Sequence, residues 1–376
     1  MIPFNKPYLH GRELIYIAQA VSTGKISGDG AFTKRCHDFF EQCYGFKKVL
    51  MTTSCTDALE MAAILLNIKS GDEVIAPSYT FVSTVNAFAL RGANIVFADS
   101  YPHHPNIDPV HIAKLITPKT RAIVVVHYAG VACDMDAIMA IANQYNIPVV
   151  EDAAQAIDGY YKGKPLGSIG TFGTFSFHET KNIIAGEGGL LAINDEQYIH
   201  RAEIIREKGT NRSSFFRGEV AKYGWVDIGS SFLPSDIIAA YLYAQLENID
   251  TIQARRKAIW QSYYAKLSVA LANTGIELPI VADYSTNNAH MFYLVCANLD
   301  QRTALIKHLK DSGVHAVFHY ISLHSSDFFK RKYTGKSLIN SDLFTDRLVR
   351  LPLYYDLLDE QVDYICDTIV SFATIS

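Results

Sequence analysis

The segment SFHETKNIIAGEGG, residues 176–189, sets one lysine, Lys181, between an apolar run that carries Ser176 and the glycines Gly186, Gly188 and Gly189. An ammonium beside a buried strand is costly unless it is paired, neutral or covalently used. A Schiff base with a carbonyl cofactor removes that cost. Glycines after the lysine let backbone pass close to a ligand, and Ser176 points a hydroxyl toward whatever the lysine holds. The competing reading is a lysine at a strand end, its stem packed and its head in water. The two are separated by whether the chain supplies the other parts of a pyridoxal phosphate site. These are a carboxylate for the pyridine nitrogen, a phosphate cradle and an aromatic ring over the flat face.

Each part has a candidate. Asp152 ends the apolar run IPVVED, which puts a carboxylate at the carboxyl edge of a strand, where it would keep a pyridine nitrogen protonated. Its alternative is a strand-end aspartate capping the next turn. Gln155 reaches the ring's phenolic oxygen if that turn becomes a helix. In TTSCTDALEMAA, residues Thr53, Ser54, Cys55 and Thr56 stand at a strand-to-helix junction, where free amides and hydroxyls meet the positive end of a helix. A phosphate suits that place, although ordinary capping by Ser and Thr reads the same way. PSYTF offers Phe81 or Tyr79 as the stacking ring, either of which would also suit a core.

The elements that must position these groups alternate from about residue 46 to 195, as expected of a sheet covered by helices on both faces. KKVLMTT, DEVIAPS, ANIVFAD, RAIVVVHYA, IPVVEDA, TFGTFSF and GLLAIND read as strands, several apolar on both alternations as buried parallel strands are. An open α/β sheet binds its ligand at the carboxyl ends of its strands. The chemistry is therefore expected at Thr53 to Thr56, Pro77 to Phe81, His127 to Gly130 and Glu151 to Gln155. After Pro234, the run from Ser235 to Leu267 reads as one long helix, capped by Ser235, that bridges two domains. Beyond about residue 270 a smaller mixed unit follows, with MFYLVCANL and VHAVFHY as strands and RTALIKHLKDSG as a helix closed by Gly313. The expected division is 1–250 for the large domain and 251–376 for the small one.

With 376 residues, 49% of them hydrophobic, the chain can build a large core. A net charge of −4, without a basic run, argues against a nucleic-acid partner. The first twenty residues lack the apolar core of a signal peptide and no stretch reaches membrane-spanning length, so a cytoplasmic protein without membrane association is expected. The six cysteines are scattered without metal-ligand spacing, which suits free thiols in a reducing compartment and no metal site.

SCTDAL at 54–59, PSYTF at 77–81, EDAAQA at 151–156 and the lysine block at 176–189 occur in an order and spacing similar to the DegT/DnrJ/EryC1/StrS sugar aminotransferases. The opening GKISGDGAFTKRCHDFFEQCYG and the later FHYISLH resemble that family's two ends, so the likeness covers nearly the whole chain. The resemblance implies a fold-type I, aspartate aminotransferase-like pyridoxal phosphate enzyme: a mostly parallel sheet in a large domain, a small C-terminal α/β domain, and a homodimer with shared active sites. It implies Lys181 as covalent anchor and acid/base, Asp152 at the pyridine nitrogen and Gln155 at the phenolic oxygen. Phe81 would stack on the ring, and Cys55, Thr56 and Ser176 would hold the phosphate. His178 would support the lysine loop, and His319 and Tyr320 would touch substrate.

Two departures stand out. Where the family often has a Tyr-Asn-Tyr-Arg run, this chain has GSSFLPSD, with Ser231 at the asparagine that reaches the partner's phosphate and Leu233 at the substrate-site arginine. A glycine common in the phosphate turn is Cys55. With the wording of the lysine block, these departures resemble members that use L-glutamate to aminate C4 of a dTDP-ketosugar, dTDP-4-dehydro-6-deoxyglucose. A related enzyme acting at C3 or on a UDP-ketosugar would share the same cofactor chemistry. The family's pyridoxamine-dependent dehydratases carry histidine at the anchor, so Lys181 argues against them. A non-catalytic regulator would show an appended DNA-binding segment or a damaged Lys–Asp pair.

Overall fold

The computed structural model describes residues 1–375. Its strands are β1 (Lys48–Thr52), β2 (Glu73–Pro77), β3 (Asn94–Ala98), β4 (Thr120–Val126), β5 (Val149–Asp152), β6 (Tyr160–Tyr161), β7 (Lys164–Pro165), β8 (Phe172–Ser176), β9 (Gly189–Ile193), β10 (Phe292–Val295), β11 (Val317–Phe318) and β12 (Leu348–Leu351). The helices are α1 (Glu13–Ser22), α2 (Ala31–Tyr44), α3 (Cys55–Leu65), α4 (Ser83–Ala89), α5 (Pro109–Leu115), α6 (Met135–Tyr145), α7 (Ile199–Arg206), α8 (Arg212–Phe216), α9 (Asp236–Leu246), α10 (Ile249–Ala270), α11 (Leu299–Asp311), α12 (Ile339–Arg347) and α13 (Asp359–Ile375).

Seven strands form one sheet in the order β1-β9-β8-β5-β4-β2-β3. Alternate residues sort to its two faces, as the two-residue period of a strand requires. In β4, Ile123 and Val125 pack toward α2, α6 and α9, whereas Ala122 and Val124 pack toward α3, α4 and α7. Burial on both faces explains why these runs are apolar throughout. Pairing is parallel from β8 through β5, β4 and β2 to β3. The sheet is mostly parallel, as expected, and its exception is β9, which lies antiparallel between β8 and β1. Residues 177–188 form no helix and return the chain as a hairpin. Lys181 therefore sits in a hairpin turn, closed by the Phe177 amide donating to the Gly188 carbonyl at 2.8 Å.

The bridging segment also departs from one continuous helix. Ser235 caps α9 as expected, accepting from the Ile238 amide at 3.4 Å. The helix then ends at Glu247, and Asn248 precedes α10. Asn248 turns its side-chain amide back onto the Ala244 carbonyl at 3.2 Å, the local bond by which asparagine competes with helix. Asp236, buried at the start of α9, also caps α2: its carboxylate accepts from the Thr33 amide at 2.8 Å. That contact needs Gly30, where an added Cβ would lie 2.3 Å from Asp236 Oδ2.

Past α10, β10, β12 and β11 form an antiparallel sheet with β12 in the middle. VHAVFHY contributes only Val317 and Phe318 to it. Val349 and Leu351 face a core shared with α10, α11 and α13, which also buries Ile2. The other face of β12 carries Leu348 and Arg350, and Leu348 packs with Tyr79 and Tyr128 from the large sheet. This contact brings the two sheets to one cavity.

Candidate active site

The cavity, of about 520 Å³, opens where the carboxyl ends of β2, β5 and β8 and the start of α3 face the second sheet. Its lining includes Cys55, Thr56, Phe81, Asp152, Gln155, Ser176, His178, Lys181, His319 and Tyr320, all named from the sequence. Ser231 is not part of that lining; it is exposed and bridges to Glu207.

Lys181 Nζ has neither a hydrogen bond nor an ion pair among the described residues. Burial pushes its ammonium below the ordinary lysine value, opposed by the nearby Cys55 and Asp152 and reinforced by Arg350. A lysine in that state is the one able to become a neutral nucleophile. Asp152 lies at the floor. Its Oδ2 accepts from Thr84 Oγ1 at 2.7 Å and its Oδ1 from the Ala154 amide at 3.1 Å. Burial raises its pKa, and those two bonds oppose the rise. Adjacent Glu151 faces the opposite way, taking the amides of Gly167, Ile169 and Gly170 at 2.8, 2.7 and 2.6 Å and His127 Nε2 at 2.9 Å. One carboxylate thus staples a loop while its neighbour serves the cavity.

At the start of α3, Ser54 is the N-cap and accepts from the Asp57 amide at 3.1 Å. The amides of Cys55 and Thr56 keep no such partner among the described residues, and they point from a helix N-terminus, which suits a phosphate. An added Cβ at Gly189 would lie 2.2 Å from the Ser54 carbonyl carbon, so this glycine lets the lysine loop's end pack against the turn that starts α3. Gln155 is placed by a turn, not by a helix, and joins two walls: Oε1 accepts from the Ala129 amide at 2.6 Å and Nε2 donates to Tyr320 Oη at 3.2 Å. Phe81 stands at the rim, 56% exposed, its ring centroid 6.1 Å from that of Tyr320. Tyr79, the alternative ring, is buried in the wall behind. His178 bonds Thr180 Oγ1 at 2.9 Å, within the lysine loop.

His290 and Arg350 are among the lining residues that escaped the sequence reading. His290 is buried, and its Nδ1 lies 2.8 Å from Asn182 Oδ1. The direction of that bond follows from a chain of partners. Gln253 Nε2 donates to the Asp158 carboxylate at 3.1 Å, which leaves Gln253 Oε1 to accept from Asn182 Nδ2 at 2.8 Å. Asn182 Oδ1 is then an acceptor, so His290 Nδ1 carries the hydrogen and Nε2 is a free lone pair. Burial, with Lys181, Arg350 and Arg256 nearby, holds the imidazole neutral. Arg350 is the second. It sits on the cavity face of β12, and a lone cation inside LVRLPL is the same signal that exposed Lys181.

Among the described residues, no cluster of His, Cys, Asp or Glu could hold a metal ion, and no helix is long and apolar enough to cross a membrane. The residues present fit pyridoxal phosphate: an unpaired, half-buried lysine, a buried carboxylate on the sheet floor, unpaired helix N-terminal amides and a rim aromatic surround one space. Together with the seven-stranded sheet, they define a fold-type I pyridoxal phosphate enzyme. The chain belongs to the DegT/DnrJ/EryC1/StrS aminotransferase family, whose model matches residues 7–370. It is similar to the aminotransferase TlmJ of Streptoalloteichus hindustanus, with 28% identity, a TM-score of 0.91, and 100% and 99% of the two chains covered. DesV of S. venezuelae, solved with a ketimine intermediate, gives 28% identity and a TM-score of 0.89 over 99% and 98%. The PLP form of Spr1654 from Streptococcus pneumoniae gives 26% and 0.89 over 100% and 99%.

Proposed function

We propose that this chain is a nucleotide-sugar aminotransferase. It moves the amino group of L-glutamate to C4 of dTDP-4-dehydro-6-deoxy-D-glucose, releasing 2-oxoglutarate and giving dTDP-4-amino-4,6-dideoxy-D-galactose for enterobacterial common antigen. The observation that carries the reaction type is Lys181, half-buried and unpaired in the cavity that Asp152 and the α3 N-terminus also line. The likeness of the lysine block and of FHYISLH to dTDP-sugar 4-aminotransferases supports the sugar. Amination at C3, or of a UDP-ketosugar, is the alternative within the same chemistry.

Pyridoxal phosphate, when bound, supplies an electron sink that stabilises charge at the carbon losing its proton. Lys181 would anchor it and, once displaced as a free amine, take the proton from the donor's Cα and return it at the cofactor's C4′. Asp152 would hold the proton on the pyridine nitrogen; Thr84 and the Ala154 amide fix its direction. Gln155 would meet the phenolic oxygen, Phe81 would cover the ring, and Ser176 with the Cys55 and Thr56 amides would take the phosphate. His319, bonded to Tyr128 Oη at 2.8 Å, and Tyr320 would face the sugar. His290 Nε2 would accept from a substrate hydroxyl.

We also propose a homodimer, with Ser231 reaching the phosphate of the partner's site. Its exposure outside its own cavity supports this, as does Trp225, 83% exposed in the same stretch. The large and small domains would divide near residue 250. The deciding experiment is a panel of dTDP- and UDP-ketosugars incubated with glutamate, with the position and configuration of the new amine read by NMR. An amine only at C3, or only on UDP-sugars, removes the specific assignment.

A further inference from the structure

A second groove, of about 510 Å³, begins where the active-site cavity ends. Phe81 and Tyr320 stand at the rim of the cavity, and the residues that follow them, Val82 and Ile321, line the groove. From there it runs along one stripe of α4: the N-cap Val82, then Val85, Asn86 and Ala89, the three- and four-residue spacing of a single helix face. At the rise of a helix that stripe is about 10 Å long. Val82, Ile321 and Phe328 are 49, 56 and 66% exposed, so apolar side chains meet there in one concave patch instead of lying scattered over the surface. The polar side chains of the groove are engaged, with one exception. Ser325 Oγ lies 3.1 Å from His324 Nε2, Ser326 donates to the Leu323 carbonyl at 2.6 Å, and Asp327 is paired with Lys330. Asn86 is exposed on the apolar stripe, and its side-chain amide has no partner among the described residues. An apolar groove with one free amide has the make-up of a small-molecule subsite, in which apolar area supplies binding and a single polar group fixes orientation.

We infer that this groove holds the thymidine end of the nucleotide sugar, with Asn86 on the imide edge of the base. The inference rests on the nucleotide-sugar reading above and names the part of the chain that reads the nucleotide. With the reacting carbon beside Lys181, the sugar occupies the cavity and the diphosphate crosses the rim at Phe81 and Tyr320, where it stays hydrated. The deoxyribose and base come next, along the α4 stripe. A side-chain amide carries a donor and an acceptor, and the imide edge of a thymine or uracil ring offers the acceptor and donor that match them. Thymidine differs from uridine in two places, a methyl group on the base and the missing 2′-hydroxyl. Both favour thymidine here. Val85 and Ala89 give the methyl group an apolar surface, and with Asn86 on the base the groove keeps no free side-chain partner for a 2′-hydroxyl.

The test titrates dTDP, dUDP and UDP into the cofactor-loaded protein by calorimetry, with Asn86→Asp and Ala89→Phe as variants. Wild type binds dTDP about tenfold more tightly than UDP, with dUDP between them. Asn86→Asp keeps the shape, removes the donor and weakens dTDP about tenfold. Ala89→Phe fills the groove, weakens all three nucleotides at least about tenfold and raises the KM of the dTDP-ketosugar, while the rate at which L-glutamate bleaches the cofactor absorbance stays unchanged. Unchanged dTDP affinity in both variants overturns the inference, and so does UDP binding as tightly as dTDP to wild type. A fall in the mass of the assembly in either variant, read by light scattering, makes the groove a contact between two copies of the chain and overturns it as well. If wild type transfers no amine to any nucleotide ketosugar, the functional reading fails, while the dTDP titrations still judge the groove.

Discussion

The two walls of the cavity are built on different principles. On the large-sheet side, several polar groups are held by close neighbours in sequence, Ser54 by Asp57, Asp152 by Ala154 and His178 by Thr180, while Thr84 of α4 holds the other oxygen of Asp152. On the second sheet, His290 and Arg350 are oriented by distant residues and present unused hydrogen-bonding capacity to the cavity. A cofactor that stays in place would be met on the first side by Lys181 and the Cys55 and Thr56 amides, the groups that side leaves unpaired. Two successive substrates require groups that find their partners only when a substrate arrives, and the second side offers Arg350 and the His290 lone pair for that.

Breaking the cofactor wall has the largest effect. Lys181→Ala removes the visible absorbance of the bound cofactor and lowers transfer by about 10⁴-fold; wild-type turnover in that variant would end the assignment. Asp152→Ala comes next, with a loss on the order of 10²-fold in both half-reactions, because the pyridine nitrogen loses its counter-charge. If only the sugar half-reaction slows, Asp152 belongs to substrate binding instead. The second wall is graded by substrate. His290→Leu is expected to cost about tenfold in kcat/KM for the ketosugar, with His290→Gln restoring an acceptor and part of the rate. Equal rates for Leu and Gln would remove the acceptor role.

The smallest effect concerns stability beside the phosphate turn. Burial, with Glu60 nearby, raises the Asp57 carboxyl from its ordinary 3.8 to about 6. A raised folded-state value means that the native protein binds this proton more tightly than the unfolded chain. The contribution is therefore present below pH 3.8 and lost as pH rises through about 6. Asp57→Asn is expected to flatten that part of the Tm against pH curve of the cofactor-free protein. An unchanged slope between pH 4 and 6 would rule it out.

The same division governs what could be read in advance. Asp152, Lys181 and the 54–56 turn were legible because a strand end or helix start gives its chemistry away within a few residues: an apolar run, then a polar side chain at its carboxyl edge. Gly189 was visible as a glycine, but its use was not, since only the fold brings it against Ser54. The reversal of β9 and the break at Asn248 were missed because apolar composition reports burial without strand direction, and helical periodicity passes smoothly over one asparagine. Arg350 was absent from the reading although its local signal matched that of Lys181.

By itself, the sequence indicated which strands are buried on both faces, that Ser235 caps a helix, and which lysine and aspartate to propose for the chemistry. All of these follow from short-range pattern and the cost of burying charge. Only the tertiary structure decided that β12 faces the cavity with Arg350 forward, and that a chain from Asp158 through Gln253 and Asn182 fixes the hydrogen on His290. Those outcomes depend on strand register and on side chains far apart in sequence. A one-residue slip of β12 would turn Arg350 into the core and leave every local pattern unchanged.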